Sequence, residues 1–113
     1  MFATLMGLKS VSCRDVNDLL AARQAVVIDV NAPPRWAAAH VLGARNLDPA
    51  LFNESDLPTA KDTELVVYCS NFMCRKAPNA ARRAKAMGYA NVRVMSAGIQ
   101  GWLSEQLPVE AAG

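Results

Sequence analysis

ELVVYC, residues 64–69, is the stretch on which the reading of this chain turns. Leu65, Val66, Val67 and Tyr68 are apolar in succession rather than in alternation, in a run too short for a helix. Such a run reads as a strand covered on both faces, as in a parallel sheet. Beyond a mixed segment, PNAARRAKAM at residues 78–87 is dense in strong helix formers. Pro78 suits the first turn of that helix, and Gly88 suits the position just past its end. The unit is strand, loop, helix, and Cys69 stands where the strand gives way to the loop. In open α/β sheets, ligands collect at that end of the strands.

Toward the N-terminus, AVVIDV at residues 25–30 repeats the pattern of a buried strand. NVRVMS at residues 91–96 alternates more and reads as another strand, with a weaker candidate near residues 9–11. Ser12 suits the N-cap of a helix, with Asp15 three residues on and Val16, Leu19 and Leu20 forming an apolar stripe. A last helix is expected over residues 98–106 with Trp102 and Leu103 facing inward, followed by a tail, LPVEAAG. Residues 48–62 read as loop with one short helix around 49–52. Strands alternating with helices predict an α/β fold around a parallel sheet.

The 113 residues fit one compact domain spanning 1–113. With 52% hydrophobic and 19% charged residues, the balance is that of a soluble core. A net charge of +2 is too small to point to nucleic acid or an anionic membrane as the main partner. No apolar run approaches the roughly 20 residues of a membrane span. MFATLMGL, residues 1–8, lacks a basic start and a small-residue cleavage site, and is expected to pack on the domain rather than act as a signal peptide. Three cysteines form no full disulfide framework, so a reducing, cytoplasmic setting is expected.

A thiol becomes a good nucleophile on ionising. The helix opening near Pro78 turns its positive end toward the loop, Arg75 and Lys76 add charge, and backbone N–H groups of a tight loop can cradle an anion. The competing reading is a buried strand-end cysteine acting as a small hydrophobe. Three cysteines and one distant histidine lack a coherent spacing for a metal.

VIDVNAPPRWAAAHVLGARNLDP resembles a segment of the rhodanese-like family through Asp29-Val30, His40-Val41, Gly43-Ala44, Asn46-Leu47 and Pro49. VVYC resembles the family's active-site strand, and Gly88-Tyr89, Val92, Ala97-Gly98 and Trp102 resemble its closing signature. The resemblance covers nearly the whole chain. It implies a three-layer sandwich with a central, mostly parallel sheet of about five strands flanked by helices. It also implies a sulfurtransferase without metal or organic cofactor. Cys69 would take a sulfane sulfur from a donor such as thiosulfate or a persulfide and pass it to an acceptor thiol or protein. Loop amides from Ser70 through Asn71, Phe72, Met73 and Cys74 to Arg75 would stabilise the negative charge.

Several positions depart from the family pattern. Asn31 and Arg35 stand where an arginine and an acidic residue are usual, and Ala39 replaces a glycine, changes expected to touch structure more than chemistry. The loop has no glycine and runs longer. Arg75, six positions after Cys69, makes a C-x5-R spacing similar to that of cysteine phosphatases and rhodanese-fold arsenate reductases. Against that reading, Tyr68 stands where those phosphatases have histidine, and Lys76 where they have serine or threonine. A non-catalytic regulatory domain is a third reading. Cys74, five residues after Cys69, could resolve a persulfide to a disulfide if the loop curls, or simply pack inward. Cys13 reads as an ordinary residue of the first helix. The resemblance places His40 away from the loop, bracing a turn, and Asp29 is expected to bond nearby backbone. Trp36 and Trp102 read as core or lid aromatics. Phe72 and Met73 either rim the site for an acceptor protein or fold back onto the core. Arg82, Arg83 and Lys85 read as a solvated helix face that could also steer an anion.

Overall fold

The computed structural model describes residues 7–112. In chain order its elements are β1 (Lys9–Ser10), α1 (Cys13–Ala21), β2 (Val26–Asp29), α2 (Pro33–Ala38), β3 (His40–Val41), β4 (Arg45–Asn46), a 3-10 turn (Glu54–Asp56), β5 (Leu65–Tyr68), α3 (Lys76–Ala86), β6 (Val92–Val94), α4 (Gly98–Ser104) and β7 (Val109–Glu110). Five strands form one parallel sheet in the order β1-β6-β5-β2-β4. β5 lies in the middle, and all four of its residues are buried, as its unbroken apolarity requires.

Alternation along β5 divides the core into two layers. Leu65, Val67 and then Cys69 pack with Ile28, Val92, Val94 and α3 on one face. Val66 and Tyr68 pack with Val16, Met95, Ile99 and Trp102 on the other. α3 presents Ala77, Ala80, Ala81 and Ala84, at i, i+3, i+4 and i+7, so small side chains let it lie close to the strands. α1 and α4 cover the opposite face. These three layers around a five-stranded sheet are the architecture that the resemblance implies. Ser12 caps α1 by accepting from the Asp15 amide, 3.1 Å. No helix among the described residues is long and apolar enough to cross a membrane. Apart from Gly7 and Leu8, the N-terminal stretch lies outside the described residues; Leu8 is buried in the α3-side core.

Several local expectations are corrected. α3 begins at Lys76, two residues before Pro78. Proline is tolerated there because the first four amides of a helix have no intrahelical acceptor. Trp102 is fully buried, but Leu103 is exposed; neighbours on a helix point about 100° apart, so one faces the core and the other solvent. The C-terminal tail is not irregular: β7 pairs antiparallel with β3, and the Trp102 indole donates to the Pro108 carbonyl at its start, 2.8 Å. Residues 49–52 form a turn on the Asp48 carboxylate, which accepts from the Ala50 amide, 2.8 Å, and the regular turn lies later, at Glu54–Asp56. Helix α2 is an addition to the expected elements; Pro33 and Pro34 open it, proline being favoured at the first helical position.

Arg83 also departs from the solvated face assigned to it. Its guanidinium sits 4.4 Å from the Phe52 ring centroid and donates to the carbonyls of Pro49, 3.0 Å, and Phe52, 2.8 Å. It therefore fastens the 48–56 loop to α3. Arg83→Met should cost about 1–3 kcal/mol in denaturant unfolding, through charged hydrogen bonds and a cation–π contact. The exposed neighbour Arg82→Met should stay within about 0.5 kcal/mol of wild type. Equal losses in both variants would show that the Arg83 contacts contribute nothing.

Candidate active site

Cys69 follows directly on β5 and is 3% exposed. Two backbone bonds anchor it. The Cys69 carbonyl accepts from the Ile99 amide, 3.0 Å, and the Ser70 carbonyl accepts from the Gln100 amide, 3.0 Å. α4 can approach this closely because its first residue is glycine. Gly98 has φ +64°, and a Cβ there would lie 2.5 Å from the Ser70 carbonyl carbon and 2.7 Å from the Cys69 oxygen. The sequence marks Gly98 as the start of the last helix and as part of a closing signature; its physical task is to let α4 grip the loop.

The side chain of Ser70 is held from the loop that follows β2 and from α2. Its hydroxyl donates to Asn31 Oδ1, 2.9 Å, and accepts from Arg35 Nη1, 3.3 Å. Asn31 and Arg35, expected to affect structure more than chemistry, thus reach the first loop residue directly. Asn46 adds a clasp, donating to the carbonyls of Asp29, 3.0 Å, and Asn31, 2.9 Å. Asn31, Asn46, Asp48 and Lys76 line a cavity of about 310 Å³ beside the loop.

Behind this cluster, Asp29 is fully buried. Its carboxylate accepts from the Asn31 amide, 2.8 Å, and from the Tyr68 hydroxyl, 2.6 Å, which itself accepts from the Val41 amide, 3.0 Å. Burial pushes the Asp29 carboxyl above its ordinary value, outweighing the bonds from Tyr68 and Asn31 that favour its charged form. Burial also raises the Tyr68 phenol, and the neighbouring Asp29 adds to the rise. A carboxyl raised on folding contributes stability that is fully present below its unfolded value, about 3.9, and is lost as pH rises through the folded value. Wild type should therefore lose stability relative to Asp29→Asn as pH rises through that window. The loss should be about 1.4 kcal/mol for each unit by which the folded value exceeds the unfolded one. Denaturant midpoints of both proteins across the acid range provide the measurement, and a constant difference would refute the assignment.

His40 is buried and braces the β3–β7 ribbon. Its Nδ1 donates to the Trp36 carbonyl, 2.7 Å, its Nε2 lies 3.1 Å from Glu110 Oε1, and its ring stacks on Trp36 at 4.1 Å. Glu110 also accepts from the Gly43 amide, 2.9 Å, which holds its carboxyl below the ordinary range.

The far half of the loop is curled on Asn71. Its side-chain oxygen accepts from the Met73 amide, 2.9 Å, and its carbonyl from the Cys74 amide, 3.2 Å. Two amides expected to serve an anion cradle are therefore engaged inside the loop. The curl brings the Cα atoms of Cys69 and Cys74 to 6.4 Å, and the two sulfurs are bridged as a disulfide. Cys74 is half-buried against the α3-side core. Phe72 and Met73 are 56% and 70% exposed, so they stand out from the loop rather than fold back. Arg75 is exposed and forms the N-cap position of α3, its carbonyl accepting from the Asn79 amide, 3.1 Å. Cys13 opens α1 on the opposite face of the sheet, where burial, reinforced by Glu105, pushes its thiol up to about 11.

A five-stranded parallel sheet flanked by helices, with a cysteine at the carboxyl end of its central strand and a loop leading into a helix, is a known class of α/β domain. The chain belongs to the rhodanese-like domain family, whose profile matches residues 12–105. It is 30% identical to the uncharacterized protein YibN of Escherichia coli K12 over 105 residues, covering 89% of this chain and 71% of that protein. It is 28% identical to the thiosulfate sulfurtransferase GlpE of Haemophilus influenzae over 88 residues, covering 78% of this chain and 82% of that one. Among solved structures, the BH2092 protein of Bacillus halodurans superposes with a TM-score of 0.83 at 22% identity, over 91% of this chain and 77% of that chain, a likeness of fold.

Proposed function

We propose that the protein is a sulfurtransferase that carries sulfane sulfur as a persulfide on Cys69. The observation that carries this reading is the placement of Cys69: it ends the central strand, its carbonyl is pinned by α4, and its loop runs into the N-terminus of α3. The GlpE relative, named a thiosulfate sulfurtransferase, supports thiosulfate as the donor class.

In the reduced loop the Cys69 thiolate attacks the outer sulfur of thiosulfate. The sulfur–sulfur bond of the donor breaks, and sulfite leaves with the electron pair. The Cys69 persulfide then gives its outer sulfur to an acceptor thiol or another nucleophile, and the thiolate returns. Arg75 and Lys76, with the positive end of α3, favour the anionic donor and the persulfide. A reducing cytoplasm would keep both loop cysteines available as thiols. Phe72 and Met73 supply an apolar rim beside which an acceptor protein would arrive.

Reduced protein treated with thiosulfate should take up one sulfur atom per chain, read as the sulfite released, and with cyanide present should form thiocyanate. Failure to take up sulfur from thiosulfate and from inorganic polysulfide alike would refute the proposal.

A further inference from the structure

We infer that Cys74 makes the persulfide reductive: its thiolate attacks Sγ of Cys69, expels the carried sulfur as hydrosulfide and leaves the Cys69–Cys74 disulfide. This inference rests on the persulfide reading of Cys69.

A persulfide offers two electrophilic sulfurs. Attack on the outer sulfur moves it to the attacking group; attack on the inner sulfur releases it. The structure bears on that choice, because Cys74 is bridged to Cys69 Sγ itself, the inner sulfur of a persulfide. Little rearrangement is required. The Cys69 end of the loop is fixed by hydrogen bonds from the Ile99 and Gln100 amides, and at the other end the Cys74 amide donates to the Asn71 carbonyl. The Cα separation of 6.4 Å lies within the span a disulfide accepts, about 4.4–6.8 Å. Two sulfurs held in one rigid loop react as an intramolecular pair, without the entropy cost of bringing partners together.

The step balances. Cys74 loses its proton to solvent and its electron pair forms the new bond to Cys69 Sγ. The bond from Cys69 to the outer sulfur breaks, and its pair leaves on hydrosulfide. The two protein sulfurs are together oxidised by two electrons, and the sulfane sulfur is reduced by two. A dithiol reductant restores the loop: one of its thiolates attacks the disulfide and its second thiol closes its own disulfide. Cys74 is the half-exposed member of the pair and Cys69 the buried one, so the incoming thiol meets Cys74 first and frees Cys69 as the thiolate. Cys13 takes no part, since it lies in the core on the other face of the sheet. The acceptor class is thus a dithiol, and the product is hydrosulfide.

The test follows one loading. Wild type, Cys74→Ser and Cys74→Ala are reduced, freed of reductant and treated with thiosulfate. Hydrosulfide is then measured alongside the masses of the peptides carrying Cys69 and Cys74. Wild type should release one hydrosulfide per chain and end with the two cysteines bridged. Both variants should keep the added sulfur on Cys69, with hydrosulfide release lost. A wild type that retains its persulfide as long as the variants do, or variants that release hydrosulfide at the wild-type rate, would overturn the inference while leaving sulfur transfer standing. Absence of sulfur uptake in wild type and in both variants would overturn the inference and the persulfide reading together. The wild-type peptide masses report on the bridge even where a variant folds poorly.

Discussion

Cys69→Ser is expected to abolish sulfur uptake, reducing thiosulfate-dependent thiocyanate formation to the rate of the buffer alone. A serine hydroxyl stays protonated at neutral pH, and its oxygen cannot hold the sulfane sulfur as a persulfide. No other cysteine can substitute. Cys74 reaches the site as a partner of Cys69, and Cys13 is buried on the opposite face with its thiol pushed up to about 11. Because Cys69 is only 3% exposed, the serine hydroxyl enters an apolar layer and costs about 1–3 kcal/mol. That cost falls short of a typical domain stability of about 5–15 kcal/mol. Cys69→Ala avoids the buried hydroxyl and should lose activity equally. Mass spectrometry after thiosulfate treatment separates the possibilities: sulfur found on Cys74 in the Cys69→Ser protein would mean that the carrier has been misassigned.

Gly98→Ala should damage stability and chemistry together. The new Cβ would lie 2.5 and 2.6 Å from the carbonyl carbon and oxygen of Ser70, and 2.7 Å from the oxygen of Cys69. All three are backbone atoms, which cannot swing away as a flexible side chain would. The residue also sits at φ +64°, where an L side chain costs about 1–2 kcal/mol. Overpacking adds about 1–3 kcal/mol, for a total of about 2–5 kcal/mol. At roughly 4–8 °C per kcal/mol for a domain near this size, melting should fall by about 8 °C or more. Relief of the clash has to separate the start of α4 from the loop, breaking the bonds from Ile99 and Gln100. The protein that remains folded should therefore also load sulfur more slowly. A Gly98→Ala protein with wild-type melting and loading would refute both the crowding and the anchoring role.

The strands and the nucleophile's address were legible in the sequence because both depend on local pattern. β2 and β5 fall one residue inside each end of the apolar runs at 25–30 and 64–69. Their continuous apolarity is what a central strand needs. Helix α3 was legible from its helix-forming residues, Pro78 and Gly88, though its start lay two residues earlier. The short pairs β3, β4 and β7 were not legible. Two-residue strands carry no period, and what makes them strands is a partner elsewhere: β3 finds β7, and β4 lies beside β2. Leu103 was misplaced because an apolar residue next to Trp102 looks equally suited to the core, and only the packed helix shows which of the two faces it.

The candidate site divides along the same line. The sequence by itself determined that a cysteine ends a buried strand and opens a loop before a helix, because hydrophobic period, proline and glycine act over a few neighbouring residues. Only the tertiary structure decided what holds that cysteine. Ser70 meets Asn31 across 39 positions, and the Tyr68 hydroxyl reaches Asp29 across the same separation. Gly98 crowds against Cys69 and Ser70 because β6 returns the chain beside β5. These meetings follow from strand order and register, which are set by burying two apolar layers at once. Even Cys69 and Cys74, close in sequence, meet only because the Cys69 end is anchored by α4 and the Cys74 end curls on Asn71.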